Sequence, residues 1–176
     1  AHRADPRLHL TAATLNAIPR EVGVLRASHA THLVALTFDD GPSQYTADVM
    51  RILKRYGVRG TFFEIGNQIR LHPDVPAQVI AAGHVIGDHS WSHPDLTRAA
   101  PGVRRSQLED TLVAIKTATG GSWRAGLMRP PYGSTSPAVN GLARTLGMVP
   151  ILWSVDSEDW THGATAAAIA QRVLAS

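Results

Sequence analysis

The sequence predicts an α/β protein with a parallel sheet, because a short apolar run followed by an amphipathic helical pattern occurs five times along the chain. Glycine follows most of the helical patterns, as is common where helices end. The length of 176 residues is that of one domain with a single core. We predict this pattern over residues 32–176 and a separate N-terminal arm or peripheral segment at residues 1–31.

The first half of the chain supplies three predicted strands and two predicted helices. The apolar run at residues 33–38 has the length and β-rich content of a buried strand. Apolar residues at i, i+3, i+4 and i+7 then predict an amphipathic helix, with Thr46 as its N-cap and Gly57 at its end. The next elements are a strand, a short helix and a strand, predicted at residues 59–65, 74–82 and 84–87.

The second half of the chain continues the alternation. Leu108, Leu112 and Ile115 lie on one face of a predicted helix that ends before a glycine pair. Ser136 as N-cap and Pro137 as the first helical residue predict the start of another helix. Two further strands and a last helix are predicted at residues 127–129, 148–155 and 166–173.

Composition excludes several classes of protein. Apolar residues make up 44% of the chain and charged residues 18%, which excludes a disordered chain or a rod. No apolar stretch approaches the ~20 residues that cross a bilayer, so we expect no transmembrane segment. The 17 basic residues are spread along the chain without interleaved aromatics, so we expect no nucleic-acid partner. The absence of cysteine excludes disulfides and thiolate metal sites.

Ionisable residues follow four of the five predicted strands. Parallel strands deliver their carboxyl ends to one face, where such proteins build their sites. Glu64, at the end of the second strand, is given no role. The candidates follow the first, third, fourth and fifth strands, in this order: Asp39 and Asp40; His89 and His93; Arg129 and Tyr132; Asp159 and Trp160.

His89 and His93 are candidate metal ligands. Two imidazoles four residues apart can reach one ion, and a carboxylate at a strand end can supply a third ligand. Two histidines, one carboxylate and an open position describe a catalytic zinc site, and the same set suits non-haem iron. The alternative is that the two histidines lie in a loop and have no role in metal binding. Because two aspartates are expected on the same rim, we favour metal binding.

Asp39 and Asp40 are adjacent carboxylates at the end of a predicted buried strand, although Asp-Gly-Pro is also a good turn sequence. Their mutual repulsion is relieved if a cation holds one of them, which leaves the other to accept a proton from water. Arg129 could pair with that second carboxylate and keep it ionised. Trp160, beside Asp159, is the best candidate for a pocket wall.

Four segments, TFDDGP, HSWSH, RPPYG and DSEDW, occur in that order between about residues 33 and 160. They resemble the successive motifs of the polysaccharide deacetylases, which carry the NodB homology domain and form carbohydrate esterase family 4. The resemblance implies a distorted (β/α) barrel with fewer strands than a full TIM barrel. It also implies a catalytic domain at residues 32–176 that removes acetyl groups from glycans with the help of a metal.

The resemblance also implies a role for each candidate. Asp39 would be the catalytic base, and Arg129 would orient it. Asp40, His89 and His93 would hold a divalent metal, usually zinc and sometimes cobalt. The backbone N–H of Tyr132 would stabilise the oxyanion, Trp160 would line the acetyl pocket, and Asp159 would tune a general-acid histidine in a last motif, Leu-x-His.

That last motif does not follow Trp160, and His162 stands in a different context. We therefore expect that the C-terminal strand or strands carrying the motif are missing from this chain. Because an open parallel sheet exposes its edges, we expect another segment or a second chain to close the barrel. Without the general acid, we expect O-acetyl esterase activity to survive better than amidase activity, because an alkoxide leaves more readily than an unprotonated amine.

The family's commonest substrates are polymers of N-acetylglucosamine, of the peptidoglycan or chitin type. Such polymers lie outside the cytoplasm, so we expect an extracellular, cell-wall or periplasmic location, although no signal peptide is visible. Three alternatives remain open: an O-acetyl esterase of the acetylxylan type, a catalytically impaired glycan-binding module, and a non-haem iron oxygenase.

Overall fold

A computed structural model describes residues 34–175. Five parallel strands form one sheet in the order β1-β2-β3-β4-β5, so each strand lies beside its neighbours in sequence. A doubly wound sheet would reverse this order near its middle. The sequential order therefore confirms the predicted α/β class and the winding of a (β/α) barrel. The strands are β1 Leu36–Gly41, β2 Gly60–Glu64, β3 Val85–Asp88, β4 Leu127–Met128 and β5 Val149–Pro150.

Helices connect successive strands and follow the last one. They are α1 Thr46–Arg55, α2 Gly66–Leu71, α3 Val75–Ala81, α4 Pro101–Ala118, α5 Pro137–Thr145 and α6 Ala166–Leu174, and a short 3-10 turn spans Pro131–Gly133. Within residues 34–175, none of these helices combines the length and the apolar character that crossing a bilayer requires.

One of the two predicted N-caps is correct. Ser136 caps α5, because its side chain accepts a hydrogen bond of 3.2 Å from the N–H of Val139. Thr46 is wrong as an N-cap: it is the first residue of α1, and Tyr45 holds the cap position without a side-chain hydrogen bond. The Thr46 hydroxyl instead accepts a hydrogen bond of 2.9 Å from the N–H of Ser43, which fixes the preceding turn.

The ends of several elements differ from the prediction. β1 continues through the two aspartates to Gly41, where the prediction ended at residue 38. β5 contains only Val149–Pro150, where residues 148–155 were expected, and pairing ends as the N–H of Ile151 donates to the carbonyl of Met128 at 2.7 Å. The helix α2 was not predicted. An apolar run indicates that its residues are buried. Buried residues need not pair with another strand, so the run can be longer than the strand.

The core lies between the sheet and its helices. Phe62 and Ile86, which are register partners on β2 and β3, pack against Leu53, Ile69, Val79 and Ile115 of the helices. A second cluster surrounds Met128 of β4 and includes Leu96, Leu108, Val139, Ala143 and Met148. Since neighbouring residues of a strand point to opposite faces, Phe63 lies on the face away from these helices. The candidate site lies on that face.

The sheet has two edges in the described part of the chain. β1 pairs only with β2, and β5 pairs only with β4. The N-terminal arm predicted at residues 1–31 lies outside the described residues, as does the first residue of the predicted first strand.

Candidate metal centre

A β-bulge in β1 turns both aspartates toward the same site. β1 and β2 pair regularly up to Phe38, and pairing resumes at Gly41. Asp39 and Asp40 therefore lie opposite a single residue of β2, Phe63. In a regular strand their side chains would point to opposite faces. The extra residue of the bulge, together with the positive φ of 65° at Asp40, removes that alternation.

Asp40, His89 and His93 bring one ligand atom each within 4.8 Å of one another. Oδ1 of Asp40 lies 3.4 Å from Nε2 of His89 and 3.5 Å from Nε2 of His93. Ligands of a tetrahedral zinc ion at bond lengths of about 2.1 Å are about 3.4 Å apart. The spacing of these donor atoms therefore fits a tetrahedral cation, and an aspartate with two histidines is a suitable donor set for zinc.

Backbone contacts orient the two histidines. Nδ1 of His89 lies 2.7 Å from the carbonyl oxygen of Arg129, which can only accept, so Nδ1 carries a proton, and Nε2 is the nitrogen that holds the lone pair when the ring is neutral. The N–H of His93 donates to the hydroxyl of Ser90 at 3.1 Å. Ser90 and His93 both have positive φ, at 66° and 59°. Such strained backbone is found at functional sites, where the surrounding contacts maintain it.

The electrostatics favour the protonation states that a metal requires. Hydrogen bonding with His89 lowers the pKa of Asp40, so its carboxyl group is ionised at neutral pH. Burial lowers the pKa of His93, with a further contribution from the neighbouring His89, so its imidazole is neutral there. Ionised carboxylate and neutral imidazole are the forms that bind a metal ion.

Arg129 pairs with the other aspartate. Its Nη1 donates to Oδ1 of Asp39 at 2.6 Å and to the hydroxyl of Thr37 at 2.9 Å, and its side chain is only 4% exposed. Burial raises the pKa of Asp39, whereas the charges of His89 and Arg129 act to lower it. Because the net shift is upward, this carboxylate is a better proton acceptor than an exposed aspartate.

Tyr132 lies at the rim of the same group of residues. It has a φ of 60° within the turn Pro131–Gly133, and 67% of its surface is exposed. Its ring packs edge-on against that of His93, with the two centroids 4.6 Å apart. The turn that carries the Tyr132 amide thus lies beside a candidate metal ligand.

Asp159 and Trp160 lie apart from this group. Asp159 accepts a hydrogen bond of 2.6 Å from the hydroxyl of Ser157, and Trp160 is 77% exposed. Arg172 of α6 holds their loop through an ion pair of 3.1 Å with Glu158 and a contact with the carbonyl of Ser157. None of the contacts described for residues 34–175 joins Asp159 or Trp160 to the histidines, so their roles stay predictions.

Sequence reasoning gave no role to Glu64, yet Glu64 and Asp88 form a buried acidic pair. They are register partners on β2 and β3. Glu64 is 0% exposed, and neither of its carboxyl oxygens has a hydrogen-bond partner, nor does Oδ2 of Asp88. Burial raises the pKa of Glu64 to about 8 and that of Asp88 well above its ordinary value. The signal in the sequence was an acid at a core-facing position of an otherwise apolar strand.

Trp153 was also given no role, although it lies at the site. The centroid of its ring is 5.6 Å from Cζ of Arg129. It also packs against Gly133, the residue after Tyr132. Trp153 thus contacts a candidate catalytic residue, Arg129, and the pocket-wall role of Trp160 stays a prediction.

The model of one known family, described as polysaccharide deacetylase, matches residues 26–151 of this chain. This range contains the bulge aspartates, both histidines, the arginine and Tyr132. The chain belongs to the polysaccharide deacetylase family. The resemblance that the four motifs indicated is thereby confirmed.

Curated members of the polysaccharide deacetylase family include the peptidoglycan-N-acetylglucosamine deacetylase PgdA of Listeria monocytogenes serotype 1/2a. The chain is 39% identical to PgdA over 143 residues, which is 81% of this chain and 29% of PgdA. The chain thus spans less than a third of the length of this relative.

Two solved structures of the family have the same fold. The family 4 carbohydrate esterase from Streptomyces lividans, in complex with acetate, is 34% identical with a TM-score of 0.75, over 82% of this chain and 74% of that one. A family 4 pseudoenzyme from Bacillus anthracis is 27% identical with a TM-score of 0.81, over 88% of this chain and 54% of that one.

Proposed function

We propose that residues 32–176 belong to the catalytic domain of a metal-dependent deacetylase. The proposed reaction is hydrolysis of N-acetyl groups on glycans that contain N-acetylglucosamine, of the peptidoglycan or chitin type. The observation that carries the proposal is the convergence of Asp40, His89 and His93 beside an Asp39 that pairs with Arg129. Membership of the family and the activity named for PgdA support the choice of reaction and substrate.

Asp40, His89 and His93 would hold the divalent cation, which we propose to be zinc, with cobalt as a substitute. The 3.4 Å and 3.5 Å separations of their ligand atoms support this assignment. A cation bound there supplies a Lewis acid that polarises an acyl oxygen and lowers the pKa of water.

The chain's own residues perform the proton transfer and hold the developing charge. Asp39 accepts the proton of the attacking water, and Arg129 keeps the accepting carboxylate oriented. The amide of Tyr132 donates a hydrogen bond to the oxygen of the acetyl group as negative charge develops on it. Loss of one such donor typically costs about 10²–10³ in rate.

Departure of the amine requires a proton, because an unprotonated amine is a poor leaving group. In this proposal a histidine supplied by a further segment or a second chain gives that proton, and Asp159 tunes it. The same segment would pair with β1 and β5, the edge strands of the sheet among residues 34–175, and complete a pocket with Trp160. The exposure of Trp160 and the single partner of each edge strand support this step.

The proposed substrate places the enzyme outside the cytoplasm, at the cell wall, in the periplasm or in the medium. Two other activities are each favoured by one observation. The likeness to the Streptomyces esterase favours an O-acetyl esterase, and the likeness to the Bacillus pseudoenzyme favours a glycan-binding module without turnover. The structure brings together three candidate metal ligands and an aspartate that pairs with Arg129. This combination supports catalysis over glycan binding alone.

Acetate release tests the proposal. The zinc-loaded chain is assayed with N-acetylchitohexaose and with para-nitrophenyl acetate, beside the longer protein that contains it. We expect release from both substrates by the longer protein, and a greater loss on the amide than on the ester in the isolated chain. His93→Ala should abolish zinc binding and turnover, whereas His72→Ala, outside the site, should change neither. Zinc binding without any acetate release by the longer protein would support the binding module instead.

A further inference from the structure

Trp153, just beyond β5, contacts two parts of the candidate site at once. On one side its ring lies 5.6 Å from Cζ of Arg129. On the other side it packs against the backbone of Gly133, where an added Cβ would lie 2.9 Å from Cη2 of the indole. No other tryptophan in the described part of the chain has a cation–π contact.

The contact with Arg129 limits where the guanidinium can lie. Phe63 contributes a second aromatic ring, 4.2 Å from Cζ of Arg129. The hydroxyl of Thr37 and Oδ1 of Asp39 both accept from Nη1, and the carbonyl of Ile151 accepts from Nε at 3.3 Å. Aromatic rings stabilise a guanidinium over their faces, while the acceptors fix its rotation. Removal of one ring would leave the arginine held mainly by its hydrogen bonds.

The contact with Gly133 limits where the Tyr132 amide can lie. Tyr132 and Gly133 both have positive φ, at 60° and 65°, and the N–H of Gly133 donates to the carbonyl of Pro130 at 3.1 Å. The indole lies against the open side of this turn, where a side chain would otherwise fit. A shift of Trp153 would therefore leave space into which the turn could relax.

We infer that Trp153 is a positioning residue, which holds the Arg129 guanidinium and the Tyr132–Gly133 turn at a fixed separation. The inference rests on the proposed function, because these two groups are the ones that orient the base and receive the developing charge. Trp153 would act through them and would not ligate the metal. Its loss should therefore lower kcat while KM and zinc affinity stay within about twofold.

The first test replaces Trp153 by leucine and by phenylalanine in the zinc-loaded longer protein that contains this chain. Misplacement by about 1 Å can cost on the order of 10²-fold, so we expect kcat on N-acetylchitohexaose to fall about 10- to 100-fold in W153L and less in W153F. Trp123→Phe is the matched control, because Trp123 is buried in the core and donates to the carbonyl of Ile86. That control should lose stability and keep kcat. An unchanged kcat in W153L would contradict the inference.

A second readout does not depend on turnover. The Nε–H resonance of Arg129 should shift in W153L, because the ring current of the indole is removed and the guanidinium gains freedom. The same resonance should not move in W123F. A resonance that is identical in W153L and wild type overturns the inference even if the protein proves inactive. Inactivity of the wild type on every acetylated glycan, with a shifted resonance, would refute only the proposed function.

A third test uses the space beside Gly133. Gly133→Ala adds a methyl group against the indole, whereas Gly57→Ala is made at the same φ of 65° with no atom within 4 Å. Both variants meet the same backbone strain, but only Gly133 lies in the site, so the loss of kcat that comes from the clash is the part that W153L relieves. We expect W153L to relieve part of that loss in the double variant. Equal losses from G133A with and without W153L would contradict a linked turn and indole.

Discussion

Two pairs of carboxylic acids lie near the carboxyl edge of the sheet, and their surroundings differ. Asp39 and Asp40 are partly exposed and face an arginine and two histidines. Glu64 and Asp88 are buried in register on neighbouring strands, and most of their carboxyl oxygens have no partner. In the first pair, the hydrogen bond with His89 lowers the pKa of Asp40, and the charges of His89 and Arg129 offset part of the rise that burial causes in the pKa of Asp39. The second pair is stable there only while its acids are neutral.

The difference shows that an acidic residue at a strand end is not by itself a sign of chemistry. What separates the two pairs is the supply of positive charge and of ligand atoms across the sheet. A cation bound beside Asp40 would add positive charge to a site whose existing groups already favour ionised carboxylates. On the side of Glu64, no cationic group of the described chain makes an ion pair with either acid.

The largest expected effect separates the two aspartates of the first pair. Asp39→Asn should lower kcat by about 10²–10⁴-fold with unchanged zinc affinity, because the proton acceptor is lost and the ligands remain. Asp40→Asn should lower zinc affinity as well as kcat, because an anionic ligand is lost. Calorimetric zinc titration and acetate release measure the two properties. Asp48→Asn, an exposed acid on α1, is the control, and equal zinc affinities for both site variants would contradict the division of roles.

A smaller but still large effect is expected at Arg129. Arg129→Lys keeps the charge but loses the planar group that bonds Asp39 and lies over Phe63, so kcat should fall about 10- to 10²-fold. Steady-state kinetics with matched zinc loading measures the change. Arg124→Lys, at an exposed position, should leave kcat unchanged. If R129K retains full kcat, the pairing with Asp39 does not matter to the reaction.

The second acidic pair predicts an effect on stability rather than on rate. The pKa of Glu64 is raised to about 8 in the folded protein, so its contribution to stability is fully present below its ordinary pKa and is lost as pH rises through 8. Glu64→Gln should therefore become progressively more stable than wild type between about pH 5 and 9. The gain is on the order of a few kcal/mol at the upper end. Urea denaturation across this range measures it, and a constant difference between the two proteins would show that Glu64 does not titrate on unfolding.

The smallest expected effect is a loss of stability at acid pH, whereas that of Glu64 occurs at alkaline pH. His84 is buried, its Nδ1 accepts from the N–H of Gly60, and burial lowers its pKa, with the charge of Arg59 adding to this. The unfolded chain therefore binds this proton more readily, and stability falls as pH drops below about 6.5. His84→Asn should remove the fall in the free energy of unfolding below about pH 6.5. It should leave unchanged the fall at alkaline pH that Glu64 causes. Urea denaturation at pH 5 and pH 7 measures this. If the free energy of unfolding falls between pH 7 and pH 5 as much in the variant as in wild type, His84 is not the cause.

Much of the fold and the convergence of the candidate ligands could be predicted from the sequence, because both leave local signals. The alternation of apolar runs with helical patterns led to the parallel sheet, and the spacing of His89 and His93 led to the metal group. The bulge left no such signal: it arises from how β1 pairs with β2, so the common orientation of Asp39 and Asp40 could not be inferred from their adjacency.

The missed residues depend on packing between distant segments. Trp153 contacts Arg129 and Gly133, which are 24 and 20 residues away in the chain, and no short-range pattern encodes either contact. Glu64 resembled an ordinary polar residue at the end of a strand until the register placed it opposite Asp88. The loop of Asp159 and Trp160 carried an equally clear motif, yet its position depends on contacts that local sequence does not specify.

The hydrogen bond from His89 to the carbonyl of Arg129 has a consequence for protein engineering. Arg129 supplies both the carbonyl that orients a candidate metal ligand, His89, and the side chain that holds the proposed base, Asp39. An engineer who exchanged His89 for another ligand, to favour a different metal, would also remove the contact at the Arg129 carbonyl and leave that backbone held by its N–H, which donates to the carbonyl of Asp88. We therefore expect the metal preference and the basicity of Asp39 to be coupled, so that a redesign of one would have to re-optimise the other.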